Sequence, residues 1–315
     1  MKDTVEVRKA YCNTLIDLAK NDDRICVLEA DLMGCTGTKG FKDAYPDRFV
    51  EVGIAEANLV GVSAGLSTFG KVPFCATFTP FITRRALDQI EISVAYAHLN
   101  VKLVGTDPGI SAKLNGGTHM SFDDMGIMRG IPTMVAFEPT DATMIKKALP
   151  QIVDHYGPVY IRMYRKTTEK VYEDKDLENF DLFKSIQLRD GKDVTLIASG
   201  MMVPKALEAY DMLQKEGISA RVLDMHTWKP LDEEAVLKAA EETGAIVTCE
   251  NHSVINGLGS AVSDFLSANK PTVVKRVGVK DQFGEVGQED YLFTRFELNA
   301  EDIVKQVKEA LKAKA

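Results

Sequence analysis

Short runs of β-branched and aliphatic residues alternate along the chain with longer segments whose apolar positions recur every three or four residues. This pattern predicts strands, each followed by a covering helix. In the first half, strands are expected at 25–32, 48–53, 71–78, 101–105, 133–139 and 158–163, and amphipathic helices at 5–20, 55–69, 81–99 and 141–156. Such alternation calls for a parallel sheet with helices on both faces. From 166 to 193 the periodicity lapses into a charged stretch, KTTEKVYEDKDLENFDLF, closing on the turn signal RDGKD. A second alternation then places strands at 194–199, 220–225, 245–249 and 272–277, and helices at 203–216, 232–242, 260–268 and 301–314. The expected class is α/β, two α/β domains with mainly parallel sheets, spanning 1–170 and 193–315 with a linker at 171–192.

A length of 315 residues suits two cores. Hydrophobic residues at 45% and charged residues at 27% exclude disordered, collagen-like and disulfide-scaffold classes. The net charge of −8 leaves no general attraction for nucleic acid or an anionic membrane. The one basic cluster, Lys308, Lys312 and Lys314, suits a helix C-terminus. Cys12, Cys26, Cys35, Cys75 and Cys249 are odd in number and form no CxxC pair, so they read as reduced thiols. The first residues, MKDTVEVRKAYCNTL, lack the apolar core of a signal peptide, and no apolar run is long enough to span a bilayer. A cytoplasmic location is expected.

Three segments hold candidate chemistry. In VEVGIAEANLVGVSAGLS, Glu56 lies in the first turn of a helix, and Gly61, Ala64 and Gly65 leave one helix face bare for close approach of another backbone. A helix-start acid that interacts with the macrodipole is one reading of Glu56, and a functional carboxylate is the other. In KVPFCATFTPFITRRALDQ, a strand delivers Phe78 to its carboxyl end and Phe81 follows a turn at Pro80. Strand carboxyl ends form the ligand crevice of open α/β sheets, so the two rings either stack a flat ligand or belong to the core. Arg84 and Arg85 beside them read as structural. The third segment, GTDPGISAKLNGGTHMSFDDMGIMRG, is a glycine-bearing loop that clusters Asn115, Thr118 and His119. Either substrate contact or simple exposure fits a loop histidine there. Dinucleotide, P-loop, zincin and hydrolase-elbow motifs are missing from the sequence.

Taken in order, GIAEANLVG, TFTPF with RRALDQI, NGGTHMSFDD, RGIP and EPTD resemble the pyrimidine-binding and C-terminal domains of the transketolase family over nearly the whole chain. The likeness is greatest to the small subunit of split transketolases. It implies a thiamine diphosphate enzyme that moves a two-carbon ketol unit from a ketose phosphate to an aldose phosphate in the non-oxidative pentose phosphate pathway. The resemblance makes Glu56 the catalytic carboxyl that hydrogen-bonds N1′ of the aminopyrimidine, with Phe78 and Phe81 stacking that ring. It also assigns Arg8, Cys35, Asn115, His119 and Arg162 to the substrate, with His119 catalytic as well. Thr106 stands where the family commonly has a phosphate-binding histidine, Asn115 where it has an aspartate, Cys35 where it has a serine, and Arg84 where it has a third aromatic.

Family members hold Mg²⁺ and the diphosphate through a GDG-containing motif, which this sequence lacks. The resemblance therefore implies a larger partner subunit bearing GDG, with Mg²⁺ held mainly there, in an α2β2 assembly. The alternatives are the β subunit of a 2-oxoacid dehydrogenase, an enzyme like deoxyxylulose-phosphate synthase, a cofactor-free scaffold, or a nucleotide-binding regulatory domain.

Overall fold

In the computed structural model, which describes residues 2–314, the apolar runs of the first half become six strands. These are β1 (Ile25–Glu29), β2 (Phe49–Glu51), β3 (Val72–Phe78), β4 (Lys102–Thr106), β5 (Val135–Phe137) and β6 (Val159–Met163). All but β2 are buried along their whole length, because helices cover both sheet faces. The second half supplies β7 (Ile186–Arg189), β8 (Val194–Ala198), β9 (Ala220–Asp224), β10 (Thr227–Lys229), β11 (Ala245–Ser253) and β12 (Val273–Val279).

The first sheet runs β10-β5-β6-β4-β3-β1-β2 and the second β12-β11-β8-β9-β7. Pairing is parallel throughout, except that β10 lies antiparallel to β5 and β7 antiparallel to β9. The molecule is thus two α/β domains with mainly parallel sheets.

Helices Val7–Ala19 and Ala142–Asp154 cover one face of the first sheet, with Tyr11, Leu15, Ile145 and Leu149 in the core between. The second of these begins where Asp141 Oδ1 accepts from the backbone N–H of Thr143 and Met144, at 3.0 and 2.9 Å. The opposite face meets the second domain in one continuous core that includes Leu28, Leu103, Met125, Trp228, Val236 and Leu258. Helices Met202–Lys215 and Ala300–Lys314 close the far face of the second sheet. Among the described residues, no helix is long and apolar enough to cross a membrane.

Two expectations need correction. The helix at 81–99 is broken into a turn at Thr79–Ile82 and a π-helical stretch at Gln89–Ala95. The Thr83 hydroxyl donates back to the Thr79 carbonyl at 2.7 Å, a local bond that competes with a regular ladder. The segment 171–192 is no free linker: Tyr172, Leu177 and Leu182 are buried in the first domain's core, and β7 forms the edge of the second sheet.

Candidate functional site

Parallel register aligns Phe78 with Thr106 and Thr106 with Met163, so β3, β4 and β6 end side by side, and the loops leaving them share one edge. Phe78 caps β3, and Phe81 follows in the short helical turn. Their ring centroids lie 6.0 Å apart at 63°. His119 reaches the same place from the loop after β4, 5.6 Å from Phe78 and 5.2 Å from Phe81, edge-on to both. Its Nδ1 lies 2.9 Å from the Thr118 hydroxyl, which leaves Nε2 for a ligand.

Glu56 opens helix Glu56–Thr68 and is only 4% exposed. Arg85 donates to its Oε1 at 2.7 Å, while the same guanidinium lies 4.2 Å from the Phe81 ring centroid. Arg85 therefore ties carboxylate and ring into one unit, a role that its neighbour does not share. Arg84 lies 3.8 Å from Asp123 on a part-exposed surface. Sequence reading takes Arg85 as structural; its position four residues after Phe81 is the signal that could have found it.

Arg162 does not reach this edge, and its expected contact with substrate is corrected here. Its side chain is fully buried, with Nε donating to Asp124 Oδ2 at 2.7 Å, Nη1 to Glu138 Oε1 at 2.5 Å and Nη2 to the Asn251 carbonyl at 2.8 Å. Burial works against the charge, but Asp124 and Glu138 outweigh it and hold the guanidinium well above its usual pKa. All three nitrogens are engaged inside the protein and none is exposed to a ligand at the edge.

The arginine at the edge is Arg165, two residues beyond the end of β6. It is ion-paired to Asp107, and its guanidinium carbon lies 5.1 Å from the Phe78 centroid. Burial pushes the Asp107 carboxyl above its usual range, against the opposing pull of Arg165. Arg165 also borders a cleft lined by Lys2, Lys113, Lys166 and Lys205, with Met201 and Phe293 from the second domain.

Arg8 and Cys35 adjoin Arg165. Arg8 Nη1 donates to the Cys35 carbonyl at 2.8 Å and its Nε to Glu6 at 2.9 Å, and Cys35 is in turn a neighbour of Arg165. Arg8 is thus held to the main chain at Cys35, whose side chain is half-buried. Asn115 ends a 3₁₀ turn, Gly109–Asn115, with its side chain exposed. Thr106 is buried and donates to the Thr77 carbonyl at 3.2 Å, so it faces the sheet. Among the described residues, no group of three or more His, Cys, Asp or Glu side chains is placed to hold a metal ion.

A buried carboxylate beside two phenyl rings and an imidazole, with two guanidiniums further along the edge, can grip a flat nitrogen heterocycle and an anionic substrate tail. Comparison with known proteins identifies the family. Residues 3–170 match the transketolase pyrimidine-binding domain and 184–303 the transketolase C-terminal domain. A 6-deoxy-6-sulfo-D-fructose transketolase subunit from Clostridium sp. strain MSTE9 is 51% identical over 98% of this chain and 95% of its own length. An apulose-4-phosphate transketolase subunit from Phocaeicola vulgatus is 40% identical over 98% of each chain. Rat transketolase is 36% identical over 97% of this chain but only 49% of its own length. A solved structure titled as the inactive β4 tetramer of a split-gene transketolase superimposes with a TM-score of 0.90 at 42% identity, covering 99% of this chain and all of its own. The chain belongs to the transketolase family and carries its pyrimidine-binding and C-terminal domains.

Proposed function

We propose that this chain is the pyrimidine-side subunit of a thiamine diphosphate-dependent transketolase, moving a two-carbon ketol unit between sugars and working only with a larger chain. The observation that carries the reading is Glu56, nearly inaccessible at a helix start, with Arg85 bridging it to Phe81. That donor set fits an aminopyrimidine: the carboxyl would meet ring nitrogen N1′, and Phe78 and Phe81 would lie against the ring and exclude water. A hydrogen bond in such a dry crevice is stronger than one in water. Thiamine diphosphate, when bound, supplies the electron sink.

His119 would exchange a proton with a substrate hydroxyl through Nε2. Arg165 and Arg8 would pair with the substrate's anionic end, since a guanidinium matches a tetrahedral oxyanion bidentately. Relatives are named for a sulfonated and for a phosphorylated ketose, so the proposed substrate class is a sugar with a terminal anion. The pentose phosphate pathway is one setting for it.

Support for a partner comes from three sides. The sequence has no GDG stretch to hold the diphosphate and Mg²⁺. The split-gene relative is titled inactive as a β4 tetramer. Ile54 and Phe69 are exposed at the two ends of helix Glu56–Thr68, and Ile92 and Tyr96 on and just after the π-helical stretch packed on it, exposed apolar side chains that suit an interface. An α2β2 assembly is proposed.

The test is a coupled ketol-transfer assay with and without a co-expressed larger chain that bears GDG. Transfer is expected only with both chains. Full activity from this chain alone would refute the divided site.

A further inference from the structure

The loop that carries His119 leaves β4 in the first domain, yet the second domain holds it. At its base the Gly109 N–H donates to the Ser121 carbonyl at 3.0 Å, closing a neck two residues past His119. Asn251 of β11 sits on that neck. Its side chain is fully buried; Oδ1 accepts from the Ile110 N–H at 3.0 Å and Nδ2 donates to the Pro108 carbonyl at 3.2 Å. The Asn251 main-chain carbonyl is fixed in turn by Arg162 at 2.8 Å.

The fit leaves no slack. Gly109 has φ +55°, and a Cβ there would fall 2.6 Å from Asn251 Cγ. Nearer the histidine, a Cβ on Gly117 would fall 3.0 Å from the carbonyl carbon of Gly284, in the extended stretch after β12. Past the loop, the Ser253 N–H donates to the Phe122 carbonyl at 2.8 Å. Asn251, Ser253 and Gly284 all lie in the second domain, and the loop they hold sets His119 against Phe78 and Phe81.

We propose that Asn251 is a positioning residue for His119: its buried amide clamps Pro108 and Ile110 at the loop neck, so the second domain sets where the imidazole stands over the rings. The inference rests on the reading of His119 as a substrate-facing group. A displacement of about 1 Å in a reacting group costs up to roughly 100-fold in rate, so the one buried side-chain amide that clamps the neck is a sensitive point.

The test has two arms. The first needs no substrate: limited trypsin digestion of the native chain, following cleavage after Lys113 in the loop. Asn251→Ala is expected to speed that cleavage about tenfold or more, because cleavage tracks opening of the segment. Gly109→Ala, which removes no hydrogen-bonding atom but displaces the amide, should act in the same direction if Asn251→Ala folds poorly.

The second arm is a double-mutant cycle on ketol transfer by the assembled enzyme. Asn251→Ala should lower kcat about tenfold in the wild-type background and less than about twofold in His119→Ala, since residues acting through one another are not additive. Unchanged cleavage after Lys113 overturns the clamp. Faster cleavage with losses that simply multiply in the cycle overturns the coupling to His119. A wild-type assembly that transfers no ketol unit defeats the functional reading instead, and the cleavage arm tells that failure apart.

Discussion

Arg162 and Arg165 stand three residues apart and meet opposite fates, and the physical difference is the end of a strand. Arg162 lies inside β6, where its side chain enters the interior and is held by Asp124 and Glu138. Arg165 lies beyond Met163, where the chain has left the sheet and its guanidinium lines the crevice. Removing one member of a buried ion-pair network leaves the others uncompensated, at a cost of about 3–5 kcal/mol. Arg162→Met should therefore lower the thermal midpoint strongly. Arg165→Ala, which leaves the nearly buried Asp107 unpaired, should lower the midpoint less than Arg162→Met and raise KM for ketoses with a terminal phosphate or sulfonate more than for hydroxypyruvate, whose only anion adjoins the carbonyl. The reverse pattern in calorimetry and kinetics would return Arg162 to the substrate. Sequence reading places Phe78, Phe81 and His119 as candidates, and the fold brings these three together. It misses Arg165, which joins the site only through tertiary contacts, and takes Arg85 as structural because its bond to Glu56 is tertiary even though its spacing from Phe81 is local.

At the scale of elements, long amphipathic helices and buried parallel strands are legible because each carries its own period. The exception is the stretch after Phe81, where apolar spacing suits a helix but threonine back-bonding and a π-helical stretch intervene. Another feature that the pattern conceals is the end of β1. Glu29 reads as part of an apolar run, yet it is buried and accepts from the hydroxyls of Thr36 at 2.5 Å and Thr38 at 2.7 Å, tying down the short helix Met33–Thr36 that carries Cys35. Burial pushes its pKa from 4.5 up to about 8, although both hydroxyls pull the other way. Between those values the folded chain keeps a proton that the unfolded chain gives up. The stability that Glu29 contributes is therefore complete below about 4.5 and is lost as pH rises through about 8. Glu29→Gln imitates the protonated form, so the amount by which its thermal midpoint exceeds that of wild type should grow between pH 5 and pH 9. A gap that stays constant across that range would mean that Glu29 is ionised throughout.

At the scale of the molecule, the two domains are interlocked rather than strung together. β10 leaves the second domain to pair with β5, the Trp228 indole N–H donates to the Ser199 hydroxyl at 2.8 Å, and one core runs beneath both sheets. A boundary drawn from composition at 171–192 cannot reveal this, since strand exchange between domains is a long-range contact. The same interlocking brings Asn251 to the histidine loop and gives the second domain a direct hold on the site. The site itself faces outward, with a nearly inaccessible carboxylate at one end and guanidiniums at the other. On this account Glu56 matters because it acts on the cofactor's ring, and that can be measured without knowing the sugar. The measurement is proton–deuterium exchange at C2 of thiamine diphosphate, followed by NMR in the assembled two-chain enzyme. Wild type should exchange far faster than free cofactor, and Glu56→Gln, with cofactor still bound, should lose roughly 10²–10⁴-fold of that acceleration. Undiminished exchange in Glu56→Gln would contradict the account.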